Sequence, residues 1–322
     1  MTEYTLGKRE QIAICEEDTW ATLNTKSMAI NGYIPGKNLV LTPAFTNNWT
    51  EILTAGAAAR TIDSMQKSAL AYKFTLKFVV TDWRFLRYCA HGTVSNTSTN
   101  PTVHTFTQTD AVKSFTLEWA KRATTNSVIT LTGCIITKVE LNFQKSTNAA
   151  EGFISATCTC LAKSATTSGT SITTITANAG VPYHFRMAKL TLNTTEIVEV
   201  NNGNLTIDNG INEMDCRYAN STLDQAIGEP IPTVLRYSCR FNINQKDGSF
   251  YTLFNNQVLV PGTNTLAFIR GTSPADDCTF TFTGLYLTCP VDPTNIEGVD
   301  IIDLVGTIVS TAIVANDAIT TY

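Results

Sequence analysis

Residues 72–80 read YKFTLKFVV, and this stretch decides the fold class. Its apolar side chains occupy every second position: Tyr72, Phe74, Leu76, Phe78 and Val80. Polar side chains fill positions between them: Lys73, Thr75 and Lys77. Because successive side chains of a strand point to opposite faces, this alternation predicts a β-strand with one buried face.

Segments rich in β-branched and aromatic residues recur along the whole chain, and such residues favour strands. In the first half they span residues 38–45, 114–119, 127–143 and 152–162. In the second half they span residues 187–192, 204–207, 234–243, 265–269 and 279–288. The sequence therefore predicts a mainly β protein.

Two short α-helices are predicted, each after a strand of this type. Asp82 is a favoured residue at a helix start and Gly92 at a helix end, so residues 83–90 are predicted as the first helix. Asp247 and Gly248 precede the second predicted helix, residues 249–254.

The two halves of the chain share motifs in the same order, which predicts an internal duplication. Residues 130–133, TLTG, recur as TFTG at residues 281–284, 151 positions later, and Phe115 matches Leu266 at the same offset. Upstream, residues 38–41 match residues 204–207.

A stretch of small, uncharged polar residues separates the halves at residues 163–180 and is typical of a linker. We therefore predict two tandem β-sandwich or barrel-like domains with one short α-helix each. The predicted domains are residues 1–165 and 181–322, and the predicted linker is residues 166–180.

The chain carries little charge. Charged residues make up 16% of its 322 residues, whereas ordinary globular proteins have roughly 25%. The net charge is −4, and no basic stripe of the kind that binds nucleic acid is present. Because charges are costly to bury, a sparsely charged surface favours burial against other copies of the same chain.

Nine cysteines are present, and none belongs to a C-x-x-C pair. Cys158 and Cys160 are two positions apart in a predicted strand and should share one face. We interpret the cysteines mainly as small apolar core residues, with disulfides as the alternative if the protein works outside cells.

Sequence signals for catalysis are absent. The chain has no P-loop, dinucleotide fingerprint, nucleophile elbow or zinc-ligand spacing. The histidines His91, His104 and His184 are predicted to be structural or exposed, and the acidic groups at residues 16–18 and 276–277 to be solvated turns. We predict no enzyme, no catalytic, cofactor-binding or metal site, and no cofactor. No secretion signal and no membrane span are expected.

Several segments resemble the tail-tube proteins of tailed bacterial and archaeal viruses. They are Leu6-Gly7-Lys8, residues 15–20 (CEEDTW), residues 35–43 (PGKNLVLTP), residues 56–61 (GAAART) and residues 82–88 (DWRFLRY). The resemblance is clearest over residues 5–92 and indicates the major tail protein family, in a duplicated, two-domain form.

The resemblance implies two tail-tube-like domains in a structural protein that assembles into stacked rings. It implies a hollow conduit through which viral DNA passes without specific binding. With a duplicated chain, three copies would form a pseudo-six-fold ring. The implied partners are further copies of the chain and other tail proteins, namely the tape measure, the terminator and, in contractile tails, a sheath. The implied location is the virion tail, assembled in the host cytoplasm.

Specific segments are assigned to the lumen and to stacking. The predicted lumen strands are residues 72–80 with 136–143, and residues 234–243 with 279–288. The predicted stacking loops are residues 24–36 and 91–101, and residues 49–59 are the candidate for an extended loop that reaches the next ring.

Two other interpretations are open. A secreted or surface-layer β protein, such as an adhesin, would share the Thr- and Asn-rich, weakly charged composition. A carbohydrate-active β enzyme would use Trp49, Trp83 and Trp119 to line a sugar groove, although aromatic residues more often belong to cores or interfaces.

Overall fold

The computed structural model describes residues 10–52, 64–89, 92–97, 101–109, 112–121, 127–146, 152–168, 175, 180–217, 228–244, 252, 256–271, 276–291 and 301–319. Sixteen antiparallel strands within these ranges are joined by hydrogen bonds into one large sheet system. The predicted mainly β fold class is therefore confirmed.

The first half contains nine strands: β1 (Glu10–Glu16), β2 (Gly36–Ile52), β3 (Ser64–Val80), β4 (Thr93–Thr97), β5 (Thr102–Thr107), β6 (Phe115–Lys121), β7 (Ser127–Gln144), β8 (Ser155–Ala162) and β9 (Ser164–Ser168). The second half contains seven: β10 (Ala188–Leu192), β11 (Thr195–Ile197), β12 (Val200–Asp208), β13 (Arg236–Asn244), β14 (Asn264–Ile269), β15 (Asp277–Val291) and β16 (Ile301–Asp317). Helical segments are short: α1 (Met28–Asn31) and the 3-10 helices Arg84–Tyr88, Phe185–Met187 and Met214–Cys216.

One sheet contains strands of both halves, in the order β2-β3-β8-β7-β12-β13-β16-β15. We call these eight strands the shared sheet. The two halves meet in its middle, where β7 pairs with β12 from Lys138↔Asp208 to Gln144↔Asn202. The remaining strands lie beside the shared sheet, in the orders β1-β6-β7-β9 and β11-β10-β14-β15-β16-β5-β4.

Strands β7 and β15 each belong to two sheets because each bends at a glycine. Gly133 and Gly284 have positive φ angles of 62° and 68°, a conformation that glycine adopts most readily. Three residues later each strand has a β-bulge, between Ile136 and Lys138 in β7 and between Leu287 and Cys289 in β15. The TLTG and TFTG motifs therefore mark the same bend in both halves.

Two further matches from the sequence are wrong in register. Phe115 pairs with Cys134, just after the bend glycine of β7, whereas Leu266 pairs with Phe280, four residues before the bend glycine of β15. When the first of the two bulges in β2 is matched with the bulge in β12, Val40 corresponds to Asn202, so residues 38–41 are not equivalent to residues 204–207. The strands correspond, but these two matches do not fix their alignment.

The segment predicted as the first helix is a 3-10 helix, Arg84–Tyr88, rather than an α-helix. Asp82 accepts a hydrogen bond from the Arg84 amide at 3.1 Å, as its position at the helix start suggested. The segment is only five residues long, and such short pieces commonly take the tighter 3-10 form. The second predicted helix lies, apart from Thr252, outside the described residues.

The predicted linker begins as a strand. Ser164–Ser168 forms β9 and pairs with β7 from Thr132↔Ser164 to Val128↔Ser168. Ile175 packs against the small cluster of Ala13, Cys15 and Met28 in the first half. Residues 169–174 and 176–179 lie outside the described residues.

The two halves share one hydrophobic core. Trp83, from the first half, is fully buried and stacks on Phe268 of the second half, with ring centroids 5.3 Å apart. The hairpin β4–β5, also from the first half, extends the outer sheet of the second half because β5 pairs with β16 from Phe106↔Ile313 to Thr102↔Asp317. Residues of both halves therefore line the same core.

Candidate assembly surfaces

The shared sheet ends in two long strands that have a partner on one side only within the described part of the chain. At one end, β2 pairs only with β3 over its 17 residues. At the other end, the segment of β15 after Gly284 pairs with no described strand except β16, although the Leu285 carbonyl also accepts a hydrogen bond from the Val260 amide at 2.8 Å. A free edge presents a row of unpaired backbone donors and acceptors, which can pair with another chain.

The edges of the outer sheets are shorter or covered. β11 and β9 contain three and five residues. The outer side of β1 is covered by Tyr33, whose backbone exchanges two hydrogen bonds of 2.9 Å with Ile14. The two ends of the shared sheet are therefore the sites where pairing with another chain is most favourable.

Each free end of the shared sheet contains a proline, Pro43 in β2 and Pro290 in β15. Proline cannot donate to a ladder and therefore occupies edge positions, with its nitrogen away from the paired neighbour. The prolines mark both strands as edges of the isolated chain and limit the ways in which another strand can pair with them.

The face of the shared sheet that points away from the core is polar and crossed by rows of aligned side chains. One row crosses all eight strands: Val40, Lys77, Thr157, Glu140, Thr206, Ser238, Thr307 and Tyr286. A neighbouring row contains Val79, Ser155, Asn142, Asn204 and Arg240. Directly opposed residues of antiparallel strands share a face, so hydroxyl and amide groups dominate this surface.

Hydrogen bonds and ion pairs connect these rows. Asn204 donates to Asn142 at 2.8 Å across the junction of the halves. Lys138 pairs with Glu140 at 2.6 Å, and Arg240 pairs with Asp303. Burial by itself raises the pKa of the Asp303 carboxyl, but hydrogen bonds from Arg240 and Asn242 outweigh it and hold that pKa below its ordinary value. Much of the charge on this face is therefore neutralised locally.

A recess of about 630 Å³ lies on this polar face at the junction of the halves. Its lining includes Lys77, Arg240, Asn142 and Asn204, and contains no carboxylate among the described residues. It has the donors to contact an anion weakly, but Arg240 is already paired with Asp303.

The hairpin of β2 and β3 projects beyond the shared sheet. β3 pairs with β8 only over Tyr72–Val79, whereas β2 and β3 pair with each other as far as Ile52↔Ser64. The projecting part spans about 20 Å at the usual rise per residue. Residues 49–52 of the predicted extended loop lie in this hairpin, and residues 53–59 lie outside the described part of the chain.

The two predicted stacking loops are partly ordered by local contacts. In residues 24–36 the loop contains α1 and is held by Asp18, which accepts hydrogen bonds from the amides of Asn24 and Thr25 and from the Thr25 hydroxyl. The Thr25 hydroxyl and these amides hold the pKa of the Asp18 carboxyl well below its usual range. In residues 91–101, Thr93–Thr97 forms β4.

The described cysteines, His104 and Trp83 are buried side chains. The eight described cysteines are free and buried, as the interpretation of small core residues predicted. Burial raises the pKa of the Cys15 thiol to about 11 and that of Cys239 to about 12. His104 is buried between Asn96 and Asp317. Trp83 is fully buried, so it cannot line an open sugar groove.

Two further features are absent from the described residues. No group of three or more His, Cys, Asp or Glu side chains is arranged to hold a metal ion. None of the described helices is long and apolar enough to cross a membrane.

Most of the strands assigned to the lumen lie in the shared sheet. Residues 72–80, 136–143 and most of 234–243 belong to its strands β3, β7 and β13. Residues 279–288 divide at Gly284, so that only the part after the bend lies in the shared sheet. The sequence did not reveal the β7–β12 junction, because strand pairing between distant segments leaves no local pattern.

Comparison with known proteins identifies a family. The family model described as phage tail tube protein matches residues 7–303. This match confirms the resemblance found in the motifs and extends it across both halves. Among curated proteins, no significant match to the chain was found.

Proposed function

Because the chain belongs to the phage tail tube protein family and is therefore a structural component of a phage tail, we propose that copies of it form rings that stack into the hollow tube of that tail. One observation carries this proposal. The shared sheet has two long edges that are free within the described chain, at opposite ends of the same sheet.

The position of these edges supports assembly into a ring. When β2 of one copy pairs with β15 of the next, each copy uses two different surfaces, which is a heterologous contact. Such contacts generate a ring if the rotation between copies closes. Because each copy contributes two similar halves, three copies would form a pseudo-six-fold ring, with their shared sheets closed into one continuous barrel.

The polar face of the shared sheet is proposed to line the lumen. Its opposite face is covered by the core, where Phe74, Leu76 and Phe78 of β3 are buried. A lining of Thr, Ser and Asn, with ion pairs such as Lys138–Glu140, offers a passing DNA few unpaired cations. Weak binding is favourable for a conduit, because many Lys and Arg contacts to phosphates would retard the DNA.

Stacking of rings is proposed to use the projecting β2–β3 hairpin and the loops of residues 24–36 and 91–101. The hairpin reaches beyond the other strands of the shared sheet. It can therefore contact a second ring while the shared sheet remains paired within its own ring. Residues 49–59 would lie in or near this contact.

The family supports a proposal for the partners and the location. The chain would contact further copies of itself, the tape measure and terminator proteins, and a sheath if the tail contracts. It would be assembled in the host cytoplasm and act in the virion, as a structural protein without catalytic activity or a cofactor.

Substitution of Phe45 by proline tests edge pairing. Pro43 has no donor and is tolerated in β2, so the backbone nitrogen of Phe45, two positions later, points in the same direction, away from β3. Phe45→Pro should therefore remove a donor from the free edge and spare the β2–β3 ladder. Phe45→Ala is the matched control, because it removes the ring and keeps the N–H.

Tube formation is measured by negative-stain microscopy, and folding by circular dichroism and thermal unfolding. The unmodified chain and Phe45→Ala should form hollow tubes, whereas Phe45→Pro should stay folded and form few or none. A folded, unmodified chain that remains monomeric under all assembly conditions would overturn the proposed function. Normal tubes from Phe45→Pro would contradict the assignment of β2 to the contact between copies.

A further inference from the structure

We propose that the junction between copies repeats the register of the β7–β12 junction inside the chain, which places Thr46 of one copy opposite Cys289 of the next. This inference rests on the proposed ring function and specifies its contact. The partner is a second copy of the chain, and the template is a junction that the structure already contains.

The bulges show which residues of the two halves are equivalent. In β7 the first residue paired after the bulge is Lys138, and in β15 it is Cys289. In β12 the first residue paired after the bulge is Asn202. β2 has two bulges in its ladder with β3; the first residue paired after the earlier bulge, which lies near the start of the strand as in β12, is Val40, and the later bulge lies between Asn47 and Trp49. Bulges are fixed features of a ladder, so they align the strands better than short motifs do.

These equivalent residues allow the β7–β12 register to be applied to the contact between β15 of one copy and β2 of the next. Within the chain, Lys138 lies opposite Asp208, and Val139 lies opposite Ile207. Cys289 is the equivalent of Lys138, and Thr46, six residues after Val40, is the equivalent of Asp208. Between copies, Cys289 should therefore face Thr46, and Pro290 should face Phe45.

The two prolines agree with this register. Opposed residues in an antiparallel ladder either both direct their N–H groups at each other or both direct them away. The backbone nitrogens of Pro43 and Pro290 lie on the free sides of their strands and therefore point toward the neighbouring copy, as does the nitrogen of Phe45. The register places Pro290 opposite Phe45, so two residues whose nitrogens point toward each other are paired. A slip of one residue would instead place such a residue opposite one whose nitrogen points away.

The inferred register can be tested by a disulfide with native Cys289. Thr46→Cys tubes are treated with a mild oxidant and separated on a non-reducing gel, and the linked peptides are identified by mass spectrometry. We expect a link between position 46 and Cys289 of another copy in most chains. The eight described cysteines are buried and should react little.

Two matched variants control this test. Thr46→Cys combined with Cys289→Ser should give no link. Ala44→Cys moves the thiol two residues along the same face and should link at least tenfold less than Thr46→Cys. Preferential linking from position 44, or no linking in well-formed Thr46→Cys tubes, would overturn the register and leave the tube function intact. Absence of tubes from the unmodified chain would count against the function itself.

Discussion

At the scale of single residues, the junction between the halves depends on the absence of a side chain. A Cβ built on Gly203 would lie 2.3 Å from Cζ of Phe143, which is directly opposite on β7. Phe143 is buried and lies among the rings of Phe185, Phe241 and Phe268. The ring therefore has little room to move away from a new methyl group.

Gly203→Ala should lower the free energy of unfolding by about 1–3 kcal/mol, the usual cost of overpacking a core. Urea unfolding followed by circular dichroism measures this change. Adding Phe143→Leu makes space at the ring and should recover part of the loss, so the two substitutions should not be additive. An alanine variant as stable as the unmodified chain would contradict the close packing of this pair.

Residue patterns predicted some features and missed others for a physical reason. The alternation at residues 72–80 predicted β3 because the pattern of a half-buried strand is local, and Phe74, Leu76 and Phe78 are indeed buried. The repeat of Gly133 and Gly284 was visible in the sequence because a positive φ angle at each bend favours glycine there. Trp83 gave no sign that its partners lie in the second half, since sequence carries no local record of tertiary contacts.

At the scale of elements, one arginine connects three segments of the chain. Arg270, after β14, donates from Nη1 to the carbonyl oxygens of Thr81 and Val181 and pairs through Nη2 with Asp276 at 3.0 Å. Its guanidinium also lies 4.5 Å from the centroid of the Tyr183 ring. It therefore holds the end of β3, the segment before β10 and the β14–β15 connection together.

Arg270→Met should lower the free energy of unfolding by about 1–3 kcal/mol, because the carbonyl of the buried Thr81 and the carbonyl of the exposed Val181 both lose a charged donor. Arg270→Lys keeps the charge but loses the planar fork and should cost nearly as much. Urea unfolding gives both values. The control is Lys189→Met, which removes an exposed ion pair with Glu196 and should change stability by roughly 0.5 kcal/mol or less. Equal effects of Arg270→Met and Lys189→Met would refute the connecting role.

Residue patterns did not predict the β4–β5 hairpin. Residues 91–101 were predicted as a stacking loop because they are polar and rich in turn residues. Thr93–Thr97 instead forms β4, whose partner β5 pairs with β16. Only the buried side chains of β5, such as Phe106, mark it as part of a core.

At the scale of the whole molecule, the shared sheet makes the number of copies in a ring measurable. If each ring contains three chains, oxidised Thr46→Cys tubes dissolved in detergent should give linked dimers and trimers and no larger species. Mass photometry of the same samples should give a largest mass near three times that of the 35.1 kDa chain. A ladder that continues to six chains would show a ring of six copies, and the pseudo-six-fold arrangement would be wrong.

The β7–β12 junction also has a consequence for the speed of assembly. In a ring built from separate single-domain subunits, every junction must form by collision and depends on protein concentration. In the proposed three-copy ring, every second junction would form when the chain folds, because a covalent connection gives the two strands β7 and β12 a high effective concentration. Nucleation of such a ring would require fewer encounters, and tubes should begin to grow at lower protein concentrations than separate single-domain subunits would need.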